Sequence, residues 1–312
     1  MKRCGLLGEK LGHSYSPAIH AELADYDYRL YEVAPEKLGE FLKDGEFDGL
    51  NVTIPYKKAV IPYCAALSPI AQKLQSVNVL VRRADGTLYG DNADAYGFDA
   101  MVKASGISVE GKKALVLGSG GASATVCAVL NELRARSVTV ISRSGEDNYG
   151  NLDRHADAEI IVNTTPVGMY PNCGVSPVDL RQFPRLAGVL DIVYNPARTA
   201  LVMQAEALGI PYMSGLYMLV AQAKRTAEVF EGHAILGSET ERIWKKLGCE
   251  MQNIVLIGMP GSGKSTVAAR LAEALDRIAL DSDAEIEEKN GATCAQLIEK
   301  HGEAEFRELE SE

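Results

Sequence analysis

Three short stretches in the first hundred residues carry side chains that could do chemistry. In Gly12-His13-Ser14-Tyr15-Ser16-Pro17, two hydroxyls lie two residues apart at the start of a helix. Both can donate to a carboxylate drawn to the positive helix end, or one can serve as a plain helix cap. In Asn51-Val52-Thr53-Ile54-Pro55-Tyr56-Lys57, a lysine stands just past a buried strand in a proline-fixed turn. That place suits either an ammonium at a cleft or a solvated surface charge, and its neighbour Lys58 reads as the latter. Gly90-Asp91-Asn92-Ala93-Asp94-Ala95-Tyr96-Gly97 is a glycine-bounded loop whose acids serve turn geometry or a site.

Two glycine turns could hold phosphates. Gly118-Ser119-Gly120-Gly121-Ala122-Ser123 follows a strand and opens a helix, the context a dinucleotide fingerprint requires. The first glycine makes the tight turn, the second lets backbone approach a pyrophosphate, and the helix N-terminus supplies donors. Ser123 stands where a third Gly or Ala is usual. The next strand ends at Ile141 and runs into Ser142-Arg143-Ser144, with no acid there to hold a free ribose 2′-hydroxyl. An arginine between two hydroxyls suits a 2′-phosphate, unless Arg143 is only a solvated surface charge. Gly258-Met259-Pro260-Gly261-Ser262-Gly263-Lys264-Ser265 is a full phosphate-loop match. Its N–H groups can cradle phosphates, Lys264 can reach the β and γ groups of ATP, and Ser265 can bind Mg²⁺.

These residues need elements to hold them. Strands are expected at Arg3 to Leu7, Leu50 to Ile54, Lys113 to Leu117, Ser137 to Ile141, Ala158 to Val162 and Val189 to Val193, and a late one at Asn253 to Ile257. Helices are expected from Ser16 to Ala24, Ala122 to Arg134, Ala200 to Leu208 and Lys264 to Leu275. The alternation predicts an α/β fold with a parallel sheet covered on both faces. Gly237 to Gln252 is polar and mixed, and reads as holding a linker.

Composition bounds the function. A chain of 312 residues suits two or three domains. A net charge of −10 argues against a nucleic-acid or anionic-membrane binder, which needs a basic surface. The six cysteines show no CxxC and no metal-ligand spacing, and read as reduced small hydrophobes. No stretch approaches the roughly 20 apolar residues of a membrane span. The expected location is the cytoplasm.

Taken together the three upstream motifs resemble the shikimate dehydrogenase family. The resemblance extends through Ser76-Val77-Asn78, Asn163-Thr164-Thr165-Pro166-Val167-Gly168-Met169, Asp191-Ile192-Val193-Tyr194-Asn195-Pro196 and Gly215-Leu216-Tyr217-Met218-Leu219-Val220-Ala221-Gln222-Ala223, in the family's order. It implies a two-domain dehydrogenase over residues 1 to about 245. Residues 1–97 with 214–245 would bind substrate, and 98–213 would form a Rossmann NADP domain. The implied reaction is NADPH-dependent, reversible reduction of 3-dehydroshikimate to shikimate. Lys57 and Asp94 would be the catalytic pair, and Ser14 and Ser16 would hold the substrate carboxylate. Thr53, Asn78, Tyr194 and Gln222 would complete the substrate contacts. Gly118, Ser119, Gly120, Gly121, Ala122, Ser142, Arg143 and Ser144 would hold NADP, with Thr164, Gly215 and Met218 toward its nicotinamide end. The sequence departs from the family's pattern at Ala93 (usually Thr), in the Leu74–Val79 stretch, and at Ser214 and Tyr217 (usually Asn or Asp, and Gly).

Residues 251–312 resemble the first part of a shikimate kinase, with Asp281-Ser282-Asp283 and Phe306-Arg307-Glu308-Leu309-Glu310 after the phosphate loop. The resemblance implies that Gly258, Gly261, Gly263, Lys264 and Ser265 hold ATP and Mg²⁺, that Asp281 lies near the metal, and that Asp283 and Arg307 contact shikimate. The family's later substrate loop and lid have no counterpart, so this P-loop α/β segment is expected to be incomplete. The expected partner is a small molecule, with the chain a monomer or homodimer. Competing expectations are an NAD-dependent quinate/shikimate dehydrogenase and a non-catalytic nucleotide sensor.

Overall fold

The computed structural model describes residues 1–12, 14–259 and 261–309; His13, Pro260 and Glu310, which fall within quoted motifs, lie outside the described residues. Two compact units divide the chain, Met1–Met251 and Gln252–Glu312. No helix among the described residues is long and apolar enough to cross a membrane.

The first unit holds two sheets. One contains β1 (Arg3–Gly8), β2 (Asp27–Glu32), β3 (Gly49–Val52), β4 (Cys64–Leu67), β5 (Val79–Arg82) and β6 (Leu88–Asp91), in the order β2-β1-β3-β5-β6-β4. Helices α1 (Ser16–Leu23), α2 (Leu38–Asp44) and α3 (Pro69–Leu74) belong to the same stretch of chain. This sheet is mixed rather than parallel as expected, since β5 runs antiparallel to both β3 and β6. The reason is local. Only the turn Arg83–Thr87 joins β5 to β6, closed by Arg83 N–H to Thr87 O at 2.8 Å around Gly86 at φ +82°. So short a link makes a hairpin and cannot make a parallel crossover.

After α4 (Asp94–Ser105) comes the second sheet, β7 (Lys113–Leu117), β8 (Ser137–Ile141), β9 (Ile160–Asn163), β10 (Gly188–Asp191) and β11 (Tyr212–Ser214), in the order β11-β10-β9-β7-β8. It is parallel throughout, as the alternation predicts. Helices α5 (Gly121–Glu132) and α6 (Ala200–Ala207) connect its strands. Ile160, Ile161 and Val162 are fully buried, which is why these strands read as unbroken apolar runs.

Helix α7 (Leu216–Glu231) returns to the first sheet, and α8 (Ser238–Glu250) follows it. The polar stretch read as a linker is therefore a helix. Ile243 and Leu247 recur four residues apart and are buried with Ile19, Leu216 and Val220, so a narrow apolar stripe was hidden among charges. Arg242 and Lys246 clamp Glu22 of α1 at 2.7 and 2.6 Å.

In the second unit, α9 (Lys264–Leu275) is followed by α10 (Ser282–Asn290), α11 (Cys294–His301) and α12 (Glu303–Leu309). A small core of Ile286, Leu297 and Phe306 joins the last three. The strand expected at Asn253 to Ile257 does not form, and Ile257 is 90% exposed. A strand exists only through its ladder, and no other strand occurs among the described residues of this unit.

One buried group makes the first unit acid-sensitive. His20 of α1 is enclosed by Tyr26, Tyr28 and Phe230, with Nδ1 2.5 Å from the Tyr26 hydroxyl and no partner for Nε2 among the described residues. Burial pushes its pKa down from 6.5 to about 3. The folded state therefore refuses a proton that the unfolded state accepts below pH 6.5, and stability falls as pH drops from there toward 3. His20→Phe should flatten the melting temperature across that window. An unchanged pH dependence would place the acid sensitivity elsewhere.

Candidate active site

Strand direction gathers the upstream motifs. β1, β3 and β6 run the same way, so the chain leaving each emerges at one edge of the sheet. Ser14 and Ser16 follow β1, Thr53 and Lys57 follow β3, and Asp94 follows β6. Asn78 precedes the antiparallel β5 and so begins at that same edge.

Backbone bonds fix the turn that carries Lys57. Thr53 N–H reaches Leu7 O at 3.0 Å, Tyr56 N–H reaches Thr53 O at 2.9 Å, and Lys57 O accepts from Val77 N–H at 2.8 Å. Tyr56 is buried and its hydroxyl donates to Val33 O. Asp94 opens α4. The amide oxygen of Asn92 accepts from Asp94 N–H at 3.1 Å and Ala95 N–H at 3.4 Å, while its NH₂ donates to Ser76 O at 3.0 Å. Asn78 Oδ1 accepts from Ala93 N–H at 2.7 Å, which leaves its NH₂ as the donor it can offer. The outcome is an ion pair, Lys57 Nζ to Asp94 Oδ2 at 2.6 Å, with side chains 30% and 18% exposed. Lys58 is exposed.

Three of the departures from the family pattern have defined places in the structure. The Ala93 methyl is buried among Cys4, Val79, Ala227 and Phe230, and only its N–H serves the site, through Asn78. Tyr217 packs edge-on against Trp244 of α8 at 5.5 Å. Ser214 ends β11 in register with Asp191.

Ser14 and Ser16 do not form a conventional cap. Helix α1 has Tyr15 as its N-cap with no side-chain bond, and Ser14 Oγ accepts from Ser16 N–H at 3.2 Å. Tyr15 meets Tyr194 edge-on at 5.9 Å, bringing the loop after β10 against the serine motif. Gln222 and Met218 lie one turn apart on α7, both against Gly97 of α4. A Cβ on Gly97 would lie 2.8 Å from Met218 O, so only glycine allows this approach.

The second sheet presents its own carboxyl edge, with Gly118, Ser142, Thr164, Tyr194 and Gly215 following its five strands. The chain reverses its direction of winding between β7 and β9, the kind of switch point at which open α/β sheets take ligands. There Gly118 has φ +100°, and Thr164 donates from both N–H and Oγ to Leu117 O at 2.9 and 2.7 Å. Added Cβ atoms at Gly120 and Gly121 would meet nothing. Protein packing therefore does not demand glycine at these positions; open space above an uncapped N-terminus of α5 suits an approaching pyrophosphate. Ser119 is exposed, Ala122 half-buried and Ser123 buried. Ser142 N–H bonds Asp147 O at 3.2 Å, and Arg143 and Ser144 are exposed. Among the described residues Arg143 makes no ion pair, and Asp147 is turned onto His155 at 2.7 Å. Gly215 is held by packing instead, since a Cβ would clash with Ile192 O.

Sequence reasoning assigned no role to Asn163, Asp191 and Thr199. Asp191 Oδ1 accepts from Asn163 Nδ2 at 2.9 Å, and Oδ2 from Thr199 Oγ1 at 2.6 Å. Burial pushes this carboxyl up, against the pull of those donors. The network ties the tips of β9 and β10 to α6 beside that switch point. Asn92 was also missed, though an Asn two residues before a helical Asp is a helix-start signal.

In the second unit the phosphate loop forms, with Gly261 and Gly263 at φ +73° and +86°. Lys264 Nζ rests on Gly258 O and Met259 O at 2.9 and 3.1 Å. Ser265 Oγ donates to Asp281 Oδ2 at 2.9 Å, a hydroxyl–carboxylate pair of the kind that holds Mg²⁺. Asp283 N–H bonds Asp281 Oδ1 at 3.2 Å, and Arg307 pairs with Glu303 at 3.3 Å.

Known proteins resemble this chain in sequence and fold. The shikimate dehydrogenase substrate binding domain family matches residues 6–80, and the shikimate kinase family matches residues 260–312. A shikimate dehydrogenase (NADP(+)) of Clostridium perfringens (strain SM101 / Type A) is 35% identical over 270 residues, covering 80% of this chain and 99% of that protein. A chorismate mutase/shikimate 5-dehydrogenase fusion from Clostridium acetobutylicum has a similar structure, with a TM-score of 0.77 at 33% identity over 81% of this chain and 99% of that one. The shikimate 5-dehydrogenase of Thermus thermophilus, solved in complex with NADP(H) and shikimate, gives 0.71 at 31% identity over 79% and 99%. The chain belongs to the shikimate dehydrogenase family, with a shikimate kinase segment behind the dehydrogenase.

Proposed function

We propose that this chain catalyses the NADP-dependent, reversible reduction of 3-dehydroshikimate to shikimate, with the Lys57–Asp94 pair at its centre. The observation that carries this reading is that pair, 2.6 Å apart and drawn together from two separate motifs. Residues 1–97 with 214–245 hold the substrate, and 98–213 hold the cofactor. Ser14 and Ser16 donate to the substrate carboxylate. Thr53, Asn78, Tyr194 and Gln222 meet its remaining polar groups. The glycine turn from Gly118 to Ala122 takes the pyrophosphate, Ser142, Arg143 and Ser144 take the 2′-phosphate, and Thr164, Gly215 and Met218 flank the nicotinamide. The acidic chain acts on a small molecule in the cytoplasm, as a monomer or homodimer.

NADPH, when bound, supplies the hydride. The protein's part is position and protons. Lys57 delivers a proton to the alkoxide oxygen that develops at C3, and the pair accepts it in the reverse direction. Asp94 is fixed by Asn92 at the start of α4, and it holds the Lys57 ammonium in place. Lys57→Ala should fold normally and lose about 10²–10⁴-fold in kcat. Asp94→Asn should behave alike, and the double variant should lose less than the product of the two. Near wild-type turnover in Lys57→Ala would reduce it to a surface charge.

The exposed Arg143, with no ion pair among the described residues, supports the choice of NADP. A charge-assisted bond contributes about 1.5–3 kcal/mol, roughly ten- to hundredfold in KM. Arg143→Ala should raise KM for NADP by that factor and leave NAD use nearly unchanged; equal losses with both would overturn the assignment.

In a complete kinase, Gly258, Gly261, Gly263, Lys264 and Ser265 would bind nucleotide phosphates, with Mg²⁺ on Ser265, and Asp283 and Arg307 would face shikimate. Phosphoryl transfer needs both reactants positioned and the transferring charge stabilised. With no ladder at Asn253 to Ile257, the loop has no sheet to stand on among the described residues. These 312 residues should therefore convert no shikimate to its 3-phosphate in an ATP-coupled assay, and deleting 252–312 should leave dehydrogenase turnover intact. Phosphorylation abolished by Lys264→Ala would refute this.

A further inference from the structure

The turn after β8 folds back on itself. Ser142 N–H donates to Asp147 O at 3.2 Å, and a Cβ on Gly145 would lie 2.6 Å from Ser142 Oγ and 3.1 Å from Asp147 O. Amide side chains brace the turn: Asn148 Nδ2 donates to Gly145 O at 3.1 Å, and Asn151 Nδ2 to Glu146 O at 2.9 Å. The fold-back returns Asp147 to the backbone of Ser142, the residue just before Arg143. An aspartate so placed is a ready partner for the Arg143 guanidinium. Its carboxylate is engaged by His155 instead, with Nε2 2.7 Å from Oδ1. A carboxylate only accepts, so Nε2 carries the proton and donates. His155 ends the 3₁₀ turn Leu152–His155, and its side chain is only 11% exposed, so the imidazole is fixed in place.

We propose that His155 is a positioning residue that draws the Asp147 carboxylate aside and so leaves the Arg143 guanidinium free for the cofactor's 2′-phosphate. This rests on the reading of Arg143 as the 2′-phosphate ligand. Two anions can compete for that guanidinium, the phosphate of NADP and the carboxylate on the same turn. With Asp147 loose, NADP must displace the carboxylate from Arg143 and set its phosphate beside an unpaired negative charge. NAD carries a free ribose hydroxyl in place of that phosphate, and an acid is what such a hydroxyl takes. His155 thus acts on the choice between the two cofactors through Asp147.

The test measures kcat/KM with NADP and with NAD, at saturating shikimate, for His155→Phe, Asp147→Asn and the double variant. His155→Phe removes the donor and keeps a ring in place. It should lower kcat/KM with NADP about two- to fivefold, the strength of an exposed ion pair that now competes, and should not lower it with NAD. Adding Asp147→Asn removes the competitor and should restore the wild-type value with NADP. Equal losses with both cofactors, or no recovery in the double variant, would overturn the proposal, because lost packing would do the same. Should His155→Phe fail to fold, Asp147→Asn decides alone: unchanged kcat/KM with NADP supports the proposal. A rise would show that Asp147 already competes for Arg143, a fall that the carboxylate itself serves the cofactor, and either overturns it. Arg143→Ala separates the two readings. No loss with NADP there would remove the 2′-phosphate reading, whereas a loss there with none in His155→Phe would overturn the role of His155 alone.

Discussion

Helices α4 and α7 cross at a glycine of α4. Gly97 of α4 lies so close to Met218 O and Gln222 that a single methyl would not fit. Each helix belongs to a different core beyond that point. Phe98, Met101 and Val102 of α4 sink into the second sheet's core with Val116 and Val162. Ala227 and Phe230 of α7 pack with Cys4 and Val79 of the first sheet. The crossing therefore joins the two sheets, and it fixes Asp94, one turn before Gly97, relative to Gln222. A looser crossing would separate the Lys57–Asp94 pair from Gln222.

Hydrogen-bond ladders do the rest of the gathering. Parallel pairing makes every strand of the second sheet end at one edge, so residues 118, 142, 164, 194 and 215 converge although nearly a hundred positions separate the first from the last. In the first sheet the antiparallel β5 would break that rule, but its start lies at the same edge as the ends of β3 and β6, and Asn78 joins the site from there. The second unit shows the contrast. Its glycine loop closes from local donors alone, while the strand that should precede it, lacking a ladder, stays exposed.

Buried polar networks sharpen the result. Asn163, Asp191 and Thr199 lock the strand tips beside the dinucleotide turn, and Tyr28, Asn51 and Thr226 tie β2 and β3 to α7. Each buried donor or acceptor left unmade there would cost about 1–3 kcal/mol, so these networks admit few alternative geometries. Such residues look ordinary in a sequence, because an Asn or Thr in a strand carries no sign of what it faces.

Local chemistry was legible in the chain itself. Strands Lys113–Leu117 and Ser137–Ile141 and helix Lys264–Leu275 fall where apolar runs and glycine turns place them, since these depend on neighbours in sequence. The motifs around Ser14, Lys57, Asp94 and Gly118 could be picked out for the same reason. Other features needed the third dimension. The helix Ser238–Glu250 was hidden because its buried Ile243 and Leu247 pack against α1 and α7, not their sequence neighbours. Edge strand β2 was missed because much of it is exposed and polar. Above all, the sequence could name Lys57 and Asp94 without bringing them together. Their 2.6 Å contact depends on β3 and β6 pointing the same way with β5 between them, and strand direction is a property of the sheet as a whole.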